Sequence, residues 1–199
     1  MQASPLQALR EGAPGMVRTR LPNRQSIRLR EFDYSQNGAY FVTLCVTQRL
    51  CILGNVEDGE IHLSPVGQVA RTRWKDLPEH TPGLTLDVWV VMPNHLHGII
   101  VLPGSTLTGV PGNNQSRGPK PGSLGSVIGG FKSAVSRDVA AKHLSLVRPL
   151  WQRNYYERVI RNDRELDAIR RYIAENPLHW YDDPDHPRLH PPTTATQRS

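Results

Sequence analysis

The chain has 199 residues, 38% hydrophobic and 21% charged, which suits a single globular domain with one sizeable core. Its 24 Lys and Arg against 18 Asp and Glu leave a formal net charge of +6, a balance that fits anionic partners without choosing among them. Two cysteines, Cys45 and Cys51, exclude a disulfide framework; the most apolar stretch, 84–103, is too broken by Asp87, Asn94 and two histidines to predict a membrane span.

The first thirty residues carry six arginines but no apolar signal-peptide region. They read either as a solvated tail or as an arm that contacts phosphates, and Glu11 disfavours a transit peptide. A basic arm over 1–36 is therefore set apart from a domain over 37–180 and a Pro/Thr-rich tail over 181–199. Within the domain, 40–46 is rich in β-branched and aromatic residues and predicts a first strand. Residues 50–53 and 60–63 flank the turn signal Glu57-Asp58-Gly59 and predict a small hairpin. Ser64-Pro65 opens a helix over 65–77, with serine as its cap and proline in its first turn, and Pro78 stops it. Strands are predicted over 84–91 and 95–102, paired about the turn Met92-Pro93-Asn94. Residues 103–122 show neither period and read as a surface loop. The stripe Leu124, Val127, Ile128, Phe131, Val135 and Val139 predicts a helix over 124–143, followed by a short strand over 144–147. Asn162, with Glu165 three residues on, starts a last helix that runs to 175 or 176. Leu166, Ile169 and Ile173 form its stripe and Pro177 marks its end. This order predicts an α+β fold, a single antiparallel sheet with helices mainly on one face.

His95 and His97 stand two residues apart in a predicted strand, so both rings leave the same face, with Cα atoms roughly 6–7 Å apart. Neutral imidazoles at that spacing can share a divalent cation, provided a third ligand comes from elsewhere. A structural pair is the alternative, although polar rings in so apolar a run need partners. The Cys and His spacings of zinc motifs are absent. On the last helix, Tyr172 and Asn176 lie one turn apart at the edge of the apolar stripe. Asn176 can offer an amide oxygen to a hard cation. Tyr172 offers a phenol, which with an ordinary pKa of about 10 needs activation before it attacks phosphorus. They also read as a boundary core residue and a helix cap. Arg170 and Arg171 are near enough in sequence to assist a phosphate. Tyr155 and Tyr156 are rival nucleophiles, set among Arg148, Arg153, Arg158 and Arg161. That mixture suits base stacking and phosphate contact, or a satellite aromatic core with solvated arginines. Lys132 and Arg137 on the preceding helix read the same two ways.

The segment Trp89-Val90-Val91-Met92-Pro93-Asn94-His95-Leu96-His97-Gly98-Ile99-Ile100 resembles the signature of the single-tyrosine HUH transposases. Trp151-Gln152-Arg153, Tyr156-Glu157-Arg158-Val159-Ile160-Arg161 and Tyr172-Ile173-Ala174-Glu175-Asn176-Pro177 resemble the C-terminal signature of their REP-associated branch, as does Phe131-Lys132-Ser133. The likeness spans roughly 37–180. It implies a ferredoxin-like single domain, with His95, His97 and Asn176 as ligands of Mg²⁺ or Mn²⁺ and Tyr172 as nucleophile. Arg153, Arg158, Arg161, Lys132 and Tyr156 become the expected DNA contacts. The implied activity is cleavage and rejoining of single-stranded DNA near imperfect palindromic hairpins, through a covalent 5′-phosphotyrosine. A bacterial cytoplasmic location is implied too, with no membrane partner, as a monomer or as a homodimer exchanging the late helix. The chain departs from the branch at Arg158, where histidine is frequent, and at Ala174, where an aromatic residue is. Three other readings are a DNA-binding protein of the same fold with decayed catalysis, a metal-dependent phosphodiesterase without a covalent intermediate, and a non-enzymatic single-strand binding module that rests on the basic aromatic segment alone.

Overall fold

The computed structural model describes residues 38–103, 119–183 and 185–187. In chain order its elements are β1 (Gly38–Cys45), β2 (Gly54–Glu57), β3 (Glu60–Leu63), α1 (Pro65–Lys75), α2 (Leu77–His80), β4 (Thr85–Val91), β5 (His95–Leu102), α3 (Leu124–Ala141), β6 (Tyr156–Ile160) and α4 (Asp163–Glu175). The main sheet has the order β4-β5-β1-β6, with every neighbouring pair antiparallel. Two parallel pairs follow from this: β1 with β4, linked through α1, and β5 with β6, linked through α3. These interleaved split βαβ units make the ferredoxin-like arrangement.

Strand alternation divides the core. Tyr40, Val42 and Leu44 of β1 point into one buried cluster, shared with Trp74, Phe131, Val135 and Val139 of α1 and α3. Phe41 of β1 and Ile99 of β5 belong to a second cluster, on the opposite face, with Ile169, Tyr172 and Ile173 of α4. The two crossover helices thus share one face, as the sequence predicts. The last helix covers the other, which is the face that carries His95 and His97.

Local signals set most boundaries. Ser64 Oγ accepts from Gly67 N at 3.1 Å, and Asn162 Oδ1 accepts from Glu165 N at 2.9 Å, so both predicted caps form. Pro78 is not where the first helix stops. α1 ends at Lys75, and Pro78 sits in the opening turn of α2, where a missing N–H leaves no bond unmade. The small hairpin also differs. Asp58 and Gly59 have φ of 51° and 79°, a two-residue turn that directly links Glu57 to Glu60. The partner of β3 is therefore 54–57 and not 50–53. Leu53 is instead buried, its N–H donating to the carbonyl of Pro93 at 2.9 Å. Residues 144–147 form no strand; the sixth strand is β6, which pairs with β1.

The expected arm over 1–36 and loop residues 104–118 lie outside the described residues, as does the tail beyond 187. Of the tail, Asp183, Asp185 and His186 are described and buried. Among the described residues no helix is long and apolar enough to cross a membrane.

Candidate metal centre

His95 and His97 are both 0% exposed, and their ring centroids are 4.3 Å apart. Each ring is held through Nδ1. Thr43, directly opposite His97 in the β1–β5 register, brings its Oγ1 to 2.9 Å from His97 Nδ1. Asn94 Oδ1 lies 2.7 Å from His95 Nδ1. Such outer contacts orient the rings and leave the Nε2 atoms for other work.

The four-residue spacing on α4 puts Tyr172 and Asn176 on its inner side. The Tyr172 hydroxyl is hydrogen-bonded to His97 Nε2 at 3.2 Å, and its ring stands edge-on to Phe41 at 6.1 Å. Asn176 is the C-cap of α4, but it is also 97% buried, and its Nδ2 donates to Asp183 Oδ2 at 2.8 Å. Asp183 follows the single turn Trp180–Asp182, whose Trp180 packs 6.1 Å from the His95 ring. One ligand atom each from His95, His97 and Asp183 lie within 4.8 Å of one another. With metal–ligand distances of about 2.1 Å, small side-chain shifts bring such a set onto one cation.

Two buried atoms of the cluster, His95 Nε2 and Asn176 Oδ1, have no hydrogen-bond partner among the described residues. Buried polar atoms are rarely left so, because the lost hydration is uncompensated. Imidazole nitrogen, carboxylate oxygen and amide oxygen together suit a divalent cation. Burial pushes the His95 pKa below the usual histidine value, against the opposing pull of the Asp183 and Asp185 carboxylates. His95 therefore stays neutral, the form that ligates. The residues present fit a metal ion.

The other residues singled out in the sequence have different surroundings. Arg170 binds both carboxylate oxygens of Asp87, at 2.6 to 3.2 Å. A register shift between Leu86 and Trp89 lets Asp87 leave the β4–β5 ladder for this contact. Arg158 pairs with Glu165 at the start of α4. Ion pairs thus tie α4 to both edge strands, β4 and β6. Lys132 Nζ donates to the carbonyls of Gln152 and Asn154, at 2.8 and 3.2 Å, and burial pushes its pKa down to about 8. It braces the loop that carries Arg153. Arg153, Arg161 and Arg171 are exposed. Tyr156 packs on the histidine side, its ring 6.0 Å from Phe41. Tyr155 packs with the opposite cluster, beside Lys132. Sequence reasoning does not reach Asp183, Thr43 or Asn94. Thr43 becomes visible only through strand register, and Asp183 lies in an Asp/Pro-rich run that reads as tail.

A ferredoxin-like sheet thus carries an HUH-like histidine pair, covered by a helix that bears a tyrosine. No protein-family model matches the sequence. Among solved structures, the REP-associated tyrosine transposase bound to a REP hairpin matches with a TM-score of 0.53 at 20% identity, over 77% of this chain and 74% of that one. This chain has that fold. A transposase-like protein from Deinococcus radiodurans R1 aligns with a TM-score of 0.43 at 18% identity, over 74% of this chain and 95% of its own. An uncharacterized protein of Haemophilus influenzae (strain ATCC 51907 / DSM 11121 / KW20 / Rd) is 33% identical over 171 residues, 81% of this chain and 92% of its own. The chain belongs to the same family as that Haemophilus protein.

Proposed function

We propose that this protein is a metal-dependent transesterase that cleaves and rejoins single-stranded DNA near imperfect palindromic hairpins. The observation that carries the reading is the Tyr172 hydroxyl, bonded to His97 Nε2 at 3.2 Å beside His95, Asn176 and Asp183. A tyrosine placed only for packing gains nothing from two histidines and a carboxylate. The solved transposase of the same fold is bound to a REP hairpin, which supports hairpin DNA as the substrate class.

His95, His97, Asp183 and Asn176 would hold Mg²⁺ or Mn²⁺. The ion supplies Lewis-acid polarisation of the scissile phosphate. With His97 Nε2 serving as a ligand, the Tyr172 hydroxyl would be free of its bond to that nitrogen, and its oxygen would attack phosphorus. The bond from phosphorus to the 3′ oxygen would break, the phenolic proton would pass to solvent, and the departing 3′ oxygen would take up a proton from solvent to end as a 3′-OH. Tyr172 retains the 5′ phosphate as an ester. One ester replaces another, so a 3′-OH can later attack it, rejoin DNA and restore the phenol without an external energy source. Thr43 and Asn94 hold the imidazoles in place, and the ion pairs of α4 hold Tyr172 over the sheet. Exposed Arg153 and Arg161 offer cationic contacts to the DNA backbone, with Tyr156, Arg158 and Lys132 supporting that surface from within. The catalytic domain begins at 37 and runs past the 180 read from the sequence to take in Asp183, with the arm as an addition, and α4 on its own sheet supports a site complete within one chain.

The test uses the full chain, end-labelled single-stranded DNA bearing a hairpin, and Mn²⁺, followed by a denaturing gel. A protein–DNA adduct is expected, absent in Tyr172→Phe and lost in His95→Ala and His97→Ala. Cleavage without an adduct would replace transesterification with hydrolysis. Binding without cleavage would mean decayed catalysis, and an adduct that survives Tyr172→Phe would move the nucleophile to Tyr155 or Tyr156.

A further inference from the structure

Asn94 lies in the turn between β4 and β5 and is 0% exposed. Its Nδ2 donates to two carbonyls, Arg49 O at 3.1 Å and Asp185 O at 2.8 Å. Its Oδ1 faces His95 Nδ1 at 2.7 Å. The amide has one workable orientation, because turning it over would set its oxygen against two carbonyl oxygens. An amide oxygen only accepts, so the neutral His95 ring carries its proton on Nδ1. Nε2 keeps its lone pair, and Nε2 is the buried ring atom without a hydrogen-bond partner.

The other end of the amide reaches the segment after α4. Asp185, whose carbonyl it binds, donates its own N–H to Asp183 Oδ1 at 2.6 Å and pairs its carboxylate with Arg49 at 2.8 Å. One side chain thus joins β5, the turn at Arg49 and the segment carrying Asp183. The tight turn does not need this amide. A backbone bond from Met92 N to His95 O closes it, and one from Val46 N to Asn94 O ties it to the end of β1, each at 2.8 Å.

We propose that Asn94 is a positioning residue for the metal centre: it sets the Nδ1–H tautomer of His95 and docks the segment that delivers Asp183. The role in metal binding rests on the metal-dependent reading above, whereas the tautomer does not.

The test is long-range ¹H–¹⁵N correlation of the imidazoles in the metal-free full chain, with His95 assigned by loss of its signals in His95→Gln. Wild type should show Nδ1 protonated and Nε2 bare. Asn94→Ala should mix the tautomers and weaken Mn²⁺ binding, followed by electron paramagnetic resonance, roughly 10- to 100-fold. Asn94→Asp still accepts from Nδ1 but cannot donate. It should keep the tautomer while the Asp185 and His186 amides exchange faster and Mn²⁺ affinity falls. A wild-type proton on Nε2, or an unchanged tautomer and affinity in Asn94→Ala, overturns the proposal. Unchanged exchange and affinity in Asn94→Asp overturns the docking half. Should Asn94→Ala not fold, the wild-type tautomer and Asn94→Asp decide the matter. If wild type binds no Mn²⁺ under any condition, the metal-dependent reading fails, and the tautomer still tests Asn94's hold on His95.

Discussion

Gly98→Ala measures how tightly the histidine strand is seated on the crossover helices. A Cβ at position 98 would fall 2.5 Å from Trp74 Cζ2 and 3.2 Å from both Trp74 Cε2 and Trp89 Cβ. Carbon atoms in ordinary contact sit about 3.5–4.0 Å apart, so the indole or the strand must retreat by about 1 Å. Trp74 is 0% exposed and stands edge-on to Phe131 at 5.2 Å, so the retreat meets another buried ring. Overpacking of this kind costs about 1–3 kcal/mol. Alanine narrows the unfolded ensemble and offsets roughly 0.4–1 kcal/mol of that. The net destabilisation should be about 1–2 kcal/mol, a factor of roughly 5–30 in the folded-to-unfolded ratio. Urea denaturation of metal-free protein reads it directly. Trp74→Phe provides the control, since a smaller ring leaves room and the cost of Gly98→Ala should shrink in that background. Gly98 directly follows His97, so any lift of β5 also disturbs the Thr43 and Tyr172 contacts, and adduct formation should fall with stability. A cost below about 0.5 kcal/mol, or an equal cost in the Trp74→Phe background, refutes the reasoning.

The Arg170 hydrogen bonds hold the Asp87 carboxyl below the usual carboxylate value of 3.8. Their stabilisation is present above that value and disappears as pH falls through the lower, folded one. An Asp87→Asn, Arg170→Met double-mutant cycle near neutral pH should show favourable coupling that shrinks in about 1 M NaCl; additive effects would discard the clamp on α4. His95 behaves in the same sense for a different reason. Burial lowers its pKa from 6.5, so below about that pH the unfolded chain takes a proton that the native ring refuses, and metal-free stability drops as pH falls. Denaturation midpoints at pH 7.5 and 5.5 should differ more in wild type than in His95→Gln, and equal differences would contradict a buried neutral ring. Burial also raises the Cys45 thiol to about 12, while Cys51 is exposed. Alkylation of native protein near pH 8 should modify Cys51 first, read by peptide mass spectrometry; faster labelling of Cys45 would show that β1 opens readily.

Features that depend on residues close together in the chain are legible in the sequence. The α3 stripe from Leu124 to Val139, the Asn162 cap of α4 and the shared face of His95 and His97 all follow from periods of 3.6 and 2. So does the one-turn spacing of Tyr172 and Asn176. The fold class follows from the order of such elements, although β6 does not, because its half-buried residues acquire a face only on pairing with β1. Charge is legible as a total and silent about partners. Arg170 finds Asp87 83 positions away, and Lys132 spends its ammonium on two loop carbonyls. Tertiary structure alone decides the surroundings of the two histidines: the β1–β5 register sets Thr43 behind His97, and the path of the chain after α4 buries Asp183 beside them. The physical reason is that periodicity is a property of one segment, whereas a ligand set or an ion pair is a meeting of several, settled by topology and by the need of buried polar groups for partners.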